Sequence, residues 1–192
     1  LIVFLALLFI FVPEIPPNDW DLNARPILEH GVNVYSQPRY IYPPWGLILM
    51  GPYILLGKLG ARAAAVLVVG GYARLRQWEL YKVLLSMFSP YFLVSLSKSN
   101  IDILVFLFPL LLWEWAKGRR GQAFWHGLAL AILLVKPQGS IFIWLFLLWE
   151  SRENLHSLLY SLGIVALLIV PISLFGSPPL VLQWADNIIH TD

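Results

Sequence analysis

Residues 44–57, "PWGLILMGPYILLG", decide how the chain threads a bilayer. As a helix this run rises only about 21 Å. That is short of the roughly 30 Å of hydrocarbon in a membrane. If the run crosses, every later segment flips and "KGRRG" at 117–121 moves to the far side. If it lies flat in the interface, Arg74, Arg76 and Lys82, then Lys117, Arg119 and Arg120, then Arg152 all fall on one side. Positive loops mark the cytoplasmic side, so the flat reading is the expectation. Lys58, Arg62, Lys98 and Lys136 then fall on the opposite side, where they need another explanation.

The composition calls for a bilayer in the first place. Of 192 residues, 59% are hydrophobic and only 12% charged, which excludes an ordinary water-soluble domain. Trp45, Trp113, Trp115 and Trp149 stand near the ends of apolar runs, as in the aromatic belts at headgroup level. Apolar runs recur at 59–75, 83–97, 100–116, 123–136, 139–149 and 156–175, each bounded by charge or by Gly and Pro. The expectation is an all-α integral membrane protein, a multi-pass helical bundle forming one transmembrane domain over 1–192. Within it, 13–58 is an external loop with interfacial helices and 59–175 holds about six crossings. The opening run Leu1–Val12 reads as the end of a truncated seventh helix. A signal peptide would need a basic leader and a small-residue cleavage site, and neither is present. The sequence is therefore expected to be a fragment, cut at both ends.

Several function classes are excluded at once. A net charge of +2, with its cations spread between apolar runs, implies no nucleic-acid partner. The absence of cysteine removes thiolate catalysis and Cys-based metal sites. Four scattered histidines give no metal-ligand spacing, and no cofactor is called for.

Polar residues concentrate in "NDWDLNARPILEHGVNVY" at 18–35. Asp19 and Asp21 open a short periodic segment, Leu22, Ile27 and Leu28, that Gly31 closes. Carboxylates at a helix start are favoured by the dipole, so capping alone explains them. Held among Trp20, Tyr35, Tyr40, Tyr42 and Trp45 at a membrane rim, such a carboxylate also becomes a stronger base. Lys136 ends an apolar run, where a lysine is more often a snorkelling anchor than a ligand. Asn100 and Asp102 begin a helix, where capping is the plain explanation.

Together these strings resemble a known family. "NDWDLNARPILEHGVNVY" with "YIYPPWGLILMGPYILLG" at 40–57 looks like the first external loop of glycosyltransferases of the C fold. It is nearest to the branch of bacterial polyprenyl-phosphate-mannose-dependent mannosyltransferases. "SNID" at 99–102 resembles that family's Gly-Asn-x-Asp helix entry, and "LLVKPQG" at 133–139 its Lys-Pro turn. Ser99 stands where the family often has Gly, and Val34 where it often has Pro.

The resemblance implies a bundle of the glycosyltransferase C type. In it a sugar, mannose foremost, passes from a polyprenyl-phosphate donor to a glycan or glycolipid acceptor, inverting the anomeric centre. Asp19 is then the general base, with Asp21 in reserve, Lys136 holds the donor phosphate, and Tyr35, Tyr42, Asn100 and Asp102 contact substrate. The active site would face the extracytoplasmic side of the plasma membrane, in contact with membrane lipid. A transporter or flippase is the rival; it calls for ionisable residues within helices, and here they gather near helix ends and in the loop. Trp184 and Asp186, after Pro179, form a further Trp-containing segment with no role assigned.

Overall fold

The computed structural model describes residues 12–14, 20–36, 42–152 and 154–189. Asp19, Tyr40 and the opening run through residue 11 lie outside the described residues. Every element among the described residues is helical. A π-helical turn at Trp20–Ala24 leads into α1 (Arg25–His30) and a 3-10 turn at Gly31–Ser36. There follow α2 (Gly46–Leu49), α3 (Gly51–Leu75), α4 (Leu80–Met87), α5 (Pro90–Ser97) and α6 (Asp102–Ala116). The chain ends with α7 (Gln122–Leu133), α8 (Pro137–Ser151), α9 (Leu155–Ser173) and α10 (Leu180–Ile189).

The apolar runs between 59 and 175 have become helix, but not every run is one straight span. Two helices, Tyr53–Leu75 and Leu155–Ser173, are long and apolar enough to cross a membrane. The run expected at 83–97 is two helices bent by 50°, and counts as a third crossing only if the pair is taken together. Its break has a local cause: Pro90 lacks an N–H and pushes Ser89 into the extended region at ψ 144°. Ser89 then caps α5, its Oγ accepting from the Phe92 N–H at 3.3 Å. By length and composition two helices, or three, qualify as crossings among the described residues. α6 and α8 have 15 residues each and α7 has 12, so they are shorter than the about 20 that span a bilayer.

The deciding run, Pro44–Gly57, is separated from the long helix where the sequence placed its end. Gly57 has φ 67° and ψ 175°, a region open essentially to glycine alone, and the helical path breaks there. Before the break, Trp45 donates its indole N–H to the Leu134 carbonyl at 2.9 Å, fastening the run to the end of α7.

α3, α6, α7 and α9 form the packed centre, α7 lying against both α6 and α9. The closest approach is at Gly127, where a Cβ would meet the Ser161 carbonyl oxygen at 2.6 Å. Small residues at helix contacts allow this, as in bilayer bundles. His126, next to it, stacks on Trp113 with centroids 3.6 Å apart. The outward faces stay apolar: Phe142 is 82% exposed, and Leu85 and Leu167 68% each. Contiguous apolar surface of this kind suits lipid and not water.

The charges sort to the two ends of the bundle. At one end Glu114 meets Arg76 at 3.2 Å and Lys117 at 2.7 Å, and Lys117 also meets Glu150 at 2.7 Å. These contacts gather Arg76 and Lys117 together. Lys58, Arg62 and Lys136 are at the other end, each beside a carboxylate.

Candidate active site

The Lys136 end collects the first loop, the start of α6, the start of α8 and α10. The α6 start is shaped by "SKSN" at 97–100. Ser99 has φ 45°, a left-handed conformation that favours glycine. Asn100 turns the chain into the helix: its Oδ1 accepts from the Asp102 N–H at 2.9 Å. The cap position itself falls to Ile101, which makes no side-chain cap bond, so Asn100 acts one residue earlier, as a turn into the helix. Its Nδ2 also donates to Asp102 Oδ2 at 3.0 Å, which fixes the carboxylate.

Asp102 faces Lys136. The ammonium donates to Asp102 Oδ1 at 2.5 Å and stands 5.3 Å from the centre of the Tyr42 ring. Both side chains of the pair are largely covered, 15% exposed for Lys136 and 19% for Asp102. Lys136 is therefore held by a specific carboxylate and a ring, and is not a bare anchor reaching for water. Tyr42 is itself placed by Tyr35, whose hydroxyl donates to the Tyr42 carbonyl at 3.1 Å. Asn187 of α10 donates to the Tyr35 carbonyl at 2.9 Å, so α10 ties down the same loop. Tyr35, Tyr42, Asn100, Asp102 and Lys136, separate in sequence, form one connected cluster.

Asp21 stands apart from that cluster. Its side chain is 42% exposed and lies 3.0 Å from Lys58, which also meets Glu14 at 3.3 Å. The base expected at Asp19 lies outside the described residues, but its sequence neighbour Trp20 is buried against Tyr53, ring centres 5.2 Å apart. Tyr53 in turn donates to the Ser99 carbonyl at 2.6 Å, one residue before Asn100. Arg25 pairs with Glu29 at 2.7 Å on an exposed face, as a solvated residue would.

Sequence reasoning gave Arg62 no role. It is only 3% exposed, with Nη1 donating to the Val12 carbonyl at 2.6 Å and Nε to Ser99 Oγ at 3.2 Å. Nη2 lies 3.4 Å from the Ser97 carbonyl and 3.6 Å from Glu14. A guanidinium presents five donors in a rigid fork, suited to the carbonyls that the end of α5 leaves unpaired. The available signal was its placement: a cation within an apolar helix, away from the positive end.

Two cavities adjoin the cluster. A larger one of about 540 Å³ is walled mainly by apolar side chains of α3 to α6, with Asp102, Tyr91 and Phe106 among its lining and Tyr72 and Trp78 also reached. A smaller one of about 270 Å³ is lined by Tyr42, Pro43, Val135, Pro137, Gln138 and Trp184, with Ile188. No group of His, Asp and Glu able to hold a metal occurs among the described residues. No protein-family model matches the chain. No curated protein and no solved structure matches it either.

Proposed function

We propose that the protein is an integral-membrane glycosyltransferase of the C type, a multi-pass bundle of the plasma membrane that takes its sugar from a polyprenyl-phosphate donor. The observation that carries the reading is the cluster at one end of the bundle: a lysine ammonium held by Asp102 and Tyr42, with Asp102 in turn lining an apolar cavity. An isoprenoid phosphate has that dual character, a long apolar chain ending in an anion. The cavity matches the chain and Lys136 matches the phosphate.

In this mechanism Asp19 takes the proton from the acceptor hydroxyl as its oxygen bonds to the anomeric carbon. The carbon–phosphate oxygen bond breaks on the opposite face, so the centre inverts, through a transition state of oxocarbenium character. The lipid phosphate leaves as an anion and needs charge stabilisation, supplied by Lys136. Asn100 and Asp102 set the position of that ammonium, and Tyr35 and Tyr42 form the loop wall. The Lys117 end is cytoplasmic under the positive-inside rule, which puts the site on the extracytoplasmic face. Mannose is the sugar favoured by the resemblance at "NDWD" and "YIYPPWG".

The transporter reading draws on one observation, the buried Arg62 inside α3. Its donors, however, are directed at the Val12 and Ser97 carbonyls and the Ser99 hydroxyl, which is what a structural brace does. The test is transfer from labelled polyprenyl-phosphate-mannose in membranes carrying wild type or Asp19→Asn. Transfer by wild type and its loss in the variant support the enzyme; equal transfer by both removes Asp19 as the base.

A further inference from the structure

The smaller cavity differs in chemistry from the larger. None of the described side chains lining it is charged, so it offers no counter-charge to a buried ion, and burying an unpaired ion is costly. Its polar side chains are the Tyr42 hydroxyl, the Gln138 amide and the Trp184 indole, set among the rigid walls of Pro43 and Pro137. At about 270 Å³ it lies just under the range typical of drug-sized ligands, so it suits a single ring. A prenyl chain has a roomier and more apolar cavity elsewhere, among α3 to α6.

We propose that this cavity binds one neutral pyranose ring. A pyranose has faces of C–H groups, weakly positive, that pack on the negative face of an aromatic ring, and hydroxyls at its edge that bond to amide and hydroxyl groups. Tyr42 and Trp184 supply the rings, and Gln138 supplies an amide that can both donate and accept. Trp184 is steadied by an edge contact with Trp45, centroids 5.7 Å apart, and Trp45 is fixed to the Leu134 carbonyl. Tyr42 is shared with the ion-paired cluster, because Lys136 stands over its ring. A sugar seated here is therefore separated by the Tyr42 side chain from the ammonium assigned to the donor phosphate. Its role as the acceptor subsite rests on the proposed transferase reading; the binding does not.

The experiment is saturation-transfer NMR on the protein in lipid nanodiscs, with methyl α-mannopyranoside and methyl α-glucopyranoside as probes. Saturation should reach the ring C–H protons. It should fall at least fivefold in Trp184→Ala and be retained in Trp184→Phe. Gln138→Leu, at an exposed position next to the start of α8, should weaken binding with thermal unfolding unchanged, which keeps the test valid if Trp184→Ala folds poorly. Wild-type signal in both Trp184→Ala and Gln138→Leu overturns the proposal. So does displacement of the sugar by a short prenyl alcohol that binds at the same residues. The same samples are assayed for transfer. Sugar binding at Trp184 without transfer leaves this site standing and removes the enzyme; transfer without binding that responds to Trp184 removes this site alone.

Discussion

The Asp102–Lys136 pair can be taken apart one partner at a time. An exposed ion pair contributes about 0–1 kcal/mol. This pair is largely covered and joined at 2.5 Å, so its loss belongs nearer the buried regime, where removing one partner costs about 3–5 kcal/mol. Because both side chains keep some contact with solvent, Lys136→Met is expected at about 3 kcal/mol, the lower edge of that range. Asp102→Asn keeps an acceptor for Asn100 and loses only the counter-charge, so about 1–2 kcal/mol is expected. The double variant should cost less than the sum, with a coupling of about 1–2 kcal/mol, since neither is then left as a covered, unpaired charge. Denaturant unfolding of the four proteins in one detergent gives all the terms of the cycle. Costs that add to within about 0.5 kcal/mol would refute the pairing as the feature that holds Lys136.

Gly127→Ala should destabilise by about 1–3 kcal/mol, since its Cβ would lie 2.6 Å from the Ser161 carbonyl, whereas Gly163→Ala, with open space around it, should be near neutral; thermal unfolding compares them. Arg62→Met should cost about 3–5 kcal/mol in the same assay, with Arg62→Lys intermediate because an ammonium lacks the fork that spans Ser97 and Ser99. Lys117 gives a pH test: burial pulls its ammonium down, but the bonds to Glu114 and Glu150 outweigh it and hold it above the ordinary lysine value. A raised folded-state value is stabilising below the unfolded value of about 10.4 and is lost as pH rises through the folded one, so wild type should lose more stability than Lys117→Met above about pH 10.

The helices were legible because a bilayer protein writes them as long apolar runs, and the end of the deciding run at Gly57 was legible because glycine marks it. The break at Ser89–Pro90 was passed over, since the residues on both sides are apolar and only the backbone effect of proline divides them. The helix-starting role of Asn100 could be read from its own neighbours. The partnership of Asp102 with Lys136 could not, because it joins residues 34 positions apart. The same holds for Arg62: its partners at Val12, Ser97 and Ser99 come from two other segments. Local chemistry is encoded locally, and the carboxylates that answer the cations at this end become visible only when the helices are set side by side. Asp21, the reserve base, is 42% exposed and paired with Lys58.

The kink at Gly57 also has a mechanical meaning. With its angles barred to other residues, that single position sets the direction in which the loop-bearing segment leaves the long helix. Beyond it, Val66 and Val69 stay locked into the core. Ahead of it Trp20 packs on Tyr53, and the Tyr53 hydroxyl donates to the Ser99 carbonyl, so the aim given at this elbow is held by a strut that reaches the start of α6.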